Sequence, residues 1–157
     1  MYQVLSEKGF NFIKNSRRCC LSSYKNESGE WAIGYGYNKN VGPGRVISEL
    51  TALSLLQSDI MECEQKLNEI IMTPLAQSQF DAVLSLYYDV GPGIFGKKSG
   101  VEIWKSGNTS PILAFINDAK FDAAGEYFSF WGVNCGKDKL RFREAEKKMF
   151  LYGTYPL

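Results

Sequence analysis

The sequence predicts an α+β fold that is mostly helical, with one small β-hairpin or sheet near the N-terminus. Aromatic and small residues alternate over positions 31–37, directly after a turn-forming Asn-Glu-Ser-Gly cluster, which is typical of a hairpin. Apolar residues recur at helical spacing through most of the remaining chain. A length of 157 residues fits one domain, and we expect residues 1–157 to form it because no linker or repeat interrupts them.

A short helix and the hairpin are the first predicted elements. Residues 6–16 place Phe10 and Ile13 three positions apart, and Ser6 is suited to cap the N-terminus of a helix there. Residues 21–37 are predicted to form the hairpin, and a Gly-Pro-rich loop follows at 41–44.

Five or six helices are predicted to follow. Ser48 is expected to cap a long helix with apolar residues at helical spacing, and Pro74 is expected to start the next helix, which ends at the Gly-Pro-Gly of residues 91–93. Shorter helices are predicted near 101–105, 111–117 and 121–130. The last is predicted over 139–152, closed by Gly153.

The composition excludes several classes of function. The chain has no histidine, which rules out triads with an imidazole base and zinc sites built on histidine. A formal charge of +1 gives no basic field for nucleic acid, and no segment is apolar enough to predict a membrane span. No metal is predicted, because the cysteines form no C-x₂₋₄-C pair. No cofactor is predicted either, because the G-x-G-x-x-G pattern at residues 91–96 contains Pro92 and follows a helix, whereas the dinucleotide-binding motif follows a strand.

The expected location follows from the N-terminal segment and the cysteines. Residues 1–12 hold no long apolar run and no small-residue cleavage site, so no secretory signal is predicted. We therefore expect either a cytoplasmic location or export without a cleaved secretory signal. Cys19, Cys20, Cys63 and Cys135 are predicted to be reduced thiols, which favours the cytoplasm.

Several motifs, in order and at matching spacings, resemble the phage-type lysozymes, or endolysins, which cleave bacterial peptidoglycan. Residues 31–36 read Trp-Ala-Ile-Gly-Tyr-Gly, like the family's hairpin strand, and residues 48–59 resemble its long helix. Residues 79–85 read Gln-Phe-Asp-Ala-Val-Leu-Ser, followed by Asp89-Val90-Gly91 where the family has Asn-Val-Gly. Leu140 and residues 143–146 resemble the closing helix. The resemblance covers nearly the whole chain and implies a lysozyme-like fold: a small sheet and a helical lobe.

The family's catalytic residues are replaced in this sequence. The family pattern is Glu, eight residues, Asp or Cys, five residues, Thr; here Arg17, Asn26 and Ala32 occupy those positions. Glycosidic cleavage needs a proton-donating acid and a second carboxylate. Arg17 cannot donate a proton, Asn26 has no charge and Ala32 has no hydroxyl. The resemblance therefore implies a lysozyme-like pseudoenzyme that binds peptidoglycan, a related glycan or a protein partner.

Two other hypotheses remain open. The chain could be an active muramidase, a glycoside hydrolase, whose acid has moved to Glu27 or Glu30 beside the hairpin turn. Against this, a carboxyl group in a solvated turn is normally ionised at neutral pH, which makes it a poor proton donor. Alternatively, the chain could be an interaction domain with a closed cleft.

Candidate ligand-binding residues lie on the hairpin and next to it. On a continuous strand Trp31, Tyr35 and Tyr37 would share one face, where their rings could stack on sugars or pack the sheet against the helices. Arg17 and Arg18 could bind a muramyl or peptide carboxylate, or form local ion pairs. We expect the protein to be a monomer.

Overall fold

The computed structural model describes residues 1–132 and 135–156. Two strands, β1 (Cys20–Lys25) and β2 (Trp31–Gly34), follow the first helix, and a 3₁₀ helix, Tyr127–Trp131, precedes the last one. The six α-helices are α1 (Glu7–Asn15), α2 (Glu49–Ile70), α3 (Gln77–Val90), α4 (Pro111–Asn117), α5 (Phe121–Glu126) and α6 (Lys137–Tyr152). The mostly helical α+β prediction is confirmed.

Most helix ends lie where the sequence indicates. The Ser6 hydroxyl accepts the Gly9 N–H at 3.1 Å at the start of α1, and the Ser48 hydroxyl accepts the Thr51 N–H at 3.1 Å at the start of α2. The left-handed Gly153, with φ of +70°, closes α6.

Two helix predictions are wrong. Pro74 does not start α3, because the Gln79 side chain accepts the backbone N–H of Ala76 at 2.9 Å and fixes the first turn at Gln77. Residues 101–105 form no helix, because their N–H groups bond to a neighbouring loop. The N–H of Ile103, for example, donates to the carbonyl of Pro92 at 2.9 Å.

The hairpin is antiparallel and closes through a tight turn. Tyr24 pairs with Ala32 and Lys25 with Trp31, with an irregularity in register nearer the start of β1. The Asn26 side chain organises the turn, since its Oδ1 accepts the backbone N–H groups of Ser28 and Glu30, each at 3.0 Å.

Helix α3 lies at the centre of the molecule. Its residues 80–87 are all buried, and α1, α2 and α6 pack against it. The buried carboxylate of Asp81 on α3 accepts hydrogen bonds from the Ser6 backbone N–H at 3.0 Å and from the hydroxyls of Ser6 and Tyr155. Both ends of the chain are therefore tied to α3, which places the end of α1 beside the last turn of α3. No helix in the described parts of the chain is long and apolar enough to cross a membrane.

Candidate functional site

An open cleft of about 660 Å³ lies between the hairpin and the helical lobe. The hairpin contributes residues 24–28 and Ala32, and the lobe contributes side chains that include Asp89, Lys98, Trp131 and Lys139. Arg17, from the connection between α1 and β1, lines it as well. The open cleft argues against the closed-cleft interaction domain.

Arg17 is held in the wall of this cleft. Helix α1 ends at Asn15, and Arg17 directly follows the capping residue Ser16. Its Nη2 lies 3.1 Å from Oδ1 of Asp89, and its guanidinium lies over the Tyr88 ring, 4.7 Å from the centroid. Arg17 is therefore a cation fixed in the cleft wall by an ion pair and a cation–π contact.

Asp89, on the last turn of α3, is the centre of a charge cluster. The Lys139 ammonium donates to its two carboxylate oxygens at 2.7 and 2.9 Å, and Arg143 donates to Oδ2. Burial raises the pKa of Asp89, but Arg17, Arg143 and Lys139 together outweigh burial, and the pKa is lowered from its ordinary value. Asp89 is therefore ionised at neutral pH and cannot act as a proton donor.

A second, fully buried pair lies behind Asp89 on α6. Arg143 and Glu146 are 2% and 1% exposed, and Nη1 of Arg143 lies 3.0 Å from Oε1 of Glu146. The Ser85 hydroxyl donates to the other Glu146 oxygen. Burial raises the pKa of Glu146 to about 7, even though Arg143 and Ser85 favour the charged form.

Asn26 and Ala32 have structural roles. Asn26 closes the hairpin turn, as described above, and its backbone N–H donates to the carbonyl of Glu30 at 2.9 Å. Ala32 is fully buried in the cleft wall opposite Tyr24. Neither side chain offers a charge or a hydroxyl with which to position an attacking water.

The two fallback acids differ in position. Glu27 lines the cleft, whereas Glu30 is exposed on the turn and does not line it. Among the described residues, Glu27 and Asp89 are the two that bring a carboxyl group to the cleft wall.

The expectation that three aromatic rings share one strand face is wrong. Strand β2 ends at Gly34, which has a φ of +66°, and Tyr35 and Tyr37 lie in and after a turn. Tyr35 packs against the core and its carbonyl accepts the Tyr88 hydroxyl at 3.1 Å. Trp31 lies under Lys25, whose Nζ is 5.4 Å from the ring centroid. None of these three lines the cleft, and their binding role stays a prediction.

Arg18 lies outside the cleft. It lines an adjoining pocket together with Arg17, Cys20 and Tyr35. The predicted Arg17–Arg18 pair is therefore divided: Arg17 lines both spaces, and Arg18 lines the adjoining pocket.

Two aromatic residues that line the cleft, Tyr24 and Trp131, were not predicted from the sequence. The Tyr24–Ala32 pairing follows from the hairpin register around the turn, so a cross-strand count would have found Tyr24. Trp131 lies in a distant segment, where its Nε1 donates to the Ser99 carbonyl at 3.1 Å. No local pattern indicates that it reaches the cleft.

The cleft is electropositive. Among the described residues its wall carries the cations Arg17, Lys25, Lys98 and Lys139 against the acids Glu27 and Asp89, an excess of two positive charges. Such a surface favours an anionic ligand. The described part of the chain contains no cluster of three metal-binding side chains.

Comparison with known proteins gives consistent matches along the chain. The family model described as Phage lysozyme matches residues 14–146. The endolysin of Acyrthosiphon pisum secondary endosymbiont phage 1 is 32% identical over 153 residues, covering 93% of this chain and 97% of that protein. The endolysin of Bacillus phage B103 is also 32% identical over 155 residues, covering 95% of this chain and 54% of that protein, so this chain spans about half its length.

Solved structures give the same fold. An endolysin from Escherichia coli O157:H7 phage FAHEc1 superposes with a TM-score of 0.78 at 24% identity, covering 100% of this chain and 99% of that one. The muramidase domain of SpmX from Asticaccaulis excentricus superposes with a TM-score of 0.76 at 25% identity, covering 96% and 99%. With its hairpin, its cleft and these matches, the chain belongs to the phage lysozyme family.

Proposed function

We propose that this protein binds a peptidoglycan-type glycan in its cleft and does not hydrolyse it. The observation that carries the proposal is the Arg17–Asp89 ion pair, at 3.1 Å, because Arg17 is the residue that the family resemblance aligns with the general acid. An arginine there cannot protonate a leaving oxygen, because its guanidinium stays charged at every accessible pH. The adjacent carboxyl group, Asp89, is kept ionised by the surrounding cations.

The cleft supports retained binding. It is open, and the rings of Tyr24 and Trp131 offer apolar faces for sugars, while the excess positive charge favours a polymer that carries carboxylates. The relatives named above as endolysins and as a muramidase domain point to the same kind of polymer.

An active muramidase is the second candidate function. It is favoured by the endolysin relatives and by Glu27, whose position in the cleft wall gives it access to a bound glycan. Glu27 is exposed, so a bound glycan would have to shield its carboxyl group from water before it could act as an acid.

The first test is clearing of purified peptidoglycan. We expect the turbidity of a sacculus suspension to fall no faster with the protein than with buffer, since a missing general acid alone removes about 10²–10⁴-fold in rate. An active endolysin assayed in parallel serves as the positive control. Clearing that Glu27→Gln abolishes would refute the proposal and identify the moved acid, and clearing that persists in that variant would refute it as well.

The second test is binding to the same sacculi by sedimentation. We expect the protein to pellet with them, and Trp131→Ala to weaken binding by about fivefold, the effect of roughly 1 kcal/mol, because an anchoring ring is lost. Trp31→Ala is the matched control, since Trp31 does not line the cleft and should leave binding unchanged. No sedimentation with sacculi would contradict glycan binding, and a loss confined to Trp31→Ala would place the site on the hairpin instead.

A further inference from the structure

A small side chamber of about 140 Å³ adjoins the cleft. Arg17, Asp89 and Lys139 line both spaces and form the boundary between them. Deeper in, the chamber is lined by Ser85 and Tyr88 of α3 and by Arg143 and Glu146 of α6. Its volume suits one small functional group rather than a sugar ring.

The chamber contains buried donors without a partner. Arg143 is 2% exposed, and its Nε and Nη1 have no hydrogen-bond partner among the described residues, while Nη2 donates to Asp89. The contact between Nη1 and Glu146 is a close approach of charges without an aligned hydrogen bond. Burying guanidinium N–H groups without a hydrogen-bond acceptor lowers the stability of the folded protein, unless a ligand supplies the acceptor.

The charge of the chamber also favours an acceptor with a negative charge. Three cations, Arg17, Lys139 and Arg143, face the two acids Asp89 and Glu146. Asp138 also lines the chamber, but it is 86% exposed and lies 3.8 Å from Arg141. Apart from the exposed Asp138, the lining of the chamber therefore carries an excess of one positive charge when Glu146 is ionised.

We infer that this chamber is a carboxylate-binding site, in which an anionic group entering from the cleft contacts Lys139 and the unpaired Nε–H of Arg143. Arginine is suited to this because its guanidinium stays charged, which strengthens a single N–H hydrogen bond to a carboxylate. The carboxylate could be that of a free small acid or one carried by a muramyl sugar; only the second source depends on the proposed glycan binding.

The ionisation of Glu146 should make carboxylate binding at this site depend on pH. Its neighbours are Arg143 on α6, Ser85 and Asp89 on α3, and Arg17 after α1, and burial keeps its pKa near 7. An incoming carboxylate is repelled by ionised Glu146 and not by the protonated form. Binding should therefore take up a proton and become weaker as the pH rises.

The test follows the Arg143 Nε–H signal in ¹H–¹⁵N NMR spectra of the full chain, assigned by its absence in Arg143→Lys. Acetate and N-acetylmuramic acid should each shift this signal saturably, and N-acetylglucosamine, which lacks a carboxylate, should not.

If protonated Glu146 alone permits binding, the acetate Kd should be about tenfold weaker at pH 8 than at pH 6. Glu146→Gln should remove that dependence, and Lys139→Met should weaken binding at both pH values. Lys120→Met is the matched control, because Lys120 is an exposed lysine that lines neither the chamber nor the cleft.

The outcomes separate this inference from the proposed function. No acetate-dependent shift at pH 6, or equal shifts with N-acetylglucosamine, would overturn the carboxylate site even if the protein sediments with sacculi. An acetate response without any response to N-acetylmuramic acid would retain the site but assign it to a free acid. An acetate affinity that is unchanged in Lys139→Met would place the anion elsewhere and also overturn the inference.

Discussion

The free energy of unfolding should fall by about 2–3 kcal/mol as the pH rises from 5 to 8, because of Glu146 alone. Burial raises its pKa to about 7 in the folded protein, against an ordinary value of 4.5. The folded state therefore binds more protons than the unfolded state between these values, so stability decreases with rising pH through this window. Below about 4.5 the carboxyl is protonated in both states, and its contribution to the slope disappears.

The absence of histidine makes this measurement unusually clean. A chain without histidine lacks the side chain that ordinarily titrates between pH 5 and 8. Asp89 acts in the opposite direction at lower pH, since its lowered pKa contributes stability that is lost as the pH falls below its ordinary range.

Urea unfolding at several pH values measures how the free energy of unfolding changes with pH. Two variants test whether Glu146 causes this change. Glu146→Gln should flatten the pH dependence, because its side chain has nearly the same shape but does not titrate. Glu27→Gln is the matched control, since it makes the same substitution at an exposed glutamate and should leave the slope in place. A wild-type stability that is flat across this range, or a slope retained in Glu146→Gln, would contradict the assignment.

The sequence predicts those parts of the fold that are determined by local chemistry. Ser6 and Ser48 cap helices because their hydroxyls reach N–H groups three residues on, and Gly153 ends α6 because the left-handed conformation favours glycine. The two wrong helix predictions have different causes. The start of α3 is fixed by a local contact, since Gln79 accepts the N–H of Ala76 three residues before it, whereas residues 101–103 bond to the loop that follows Val90.

The site is less predictable than the fold, because its partners come from distant elements. The sequence identifies Arg17 at the end of α1, but only the packing of α1, α3 and α6 brings it to Asp89, Lys139 and Arg143. One signal was present. In the resemblance described above, Asp89 aligns with an asparagine of the family motif and Arg17 with a glutamate, so these two residues carry opposite charges. Paired departures of this kind indicate contact.

Under the proposed function, this ion pair determines which substitutions should give the chain lytic activity. We expect the four changes Arg17→Glu, Asn26→Asp, Ala32→Thr and Asp89→Asn together to give clearing of sacculi at least about a hundredfold faster than the unchanged chain, since a positioned general acid contributes about 10²–10⁴-fold. The fourth change is required because a carboxylate introduced at position 17 would otherwise lie against the carboxylate of Asp89, now 3.1 Å from the Arg17 guanidinium.

Two control variants separate the effect of the introduced acid from the effect of removing the charge repulsion at Asp89. The same variant with Arg17→Gln instead of Arg17→Glu keeps the other three changes but provides no proton donor, and it should remain inactive. The variant without Asp89→Asn should melt at a lower temperature than the four-change variant, because two like charges then share one buried site. A four-change variant that folds, binds sacculi and still fails to clear them would show that the cleft holds the polymer away from position 17. The loss of hydrolysis would then rest on the geometry of the bound glycan and not on the replaced side chains.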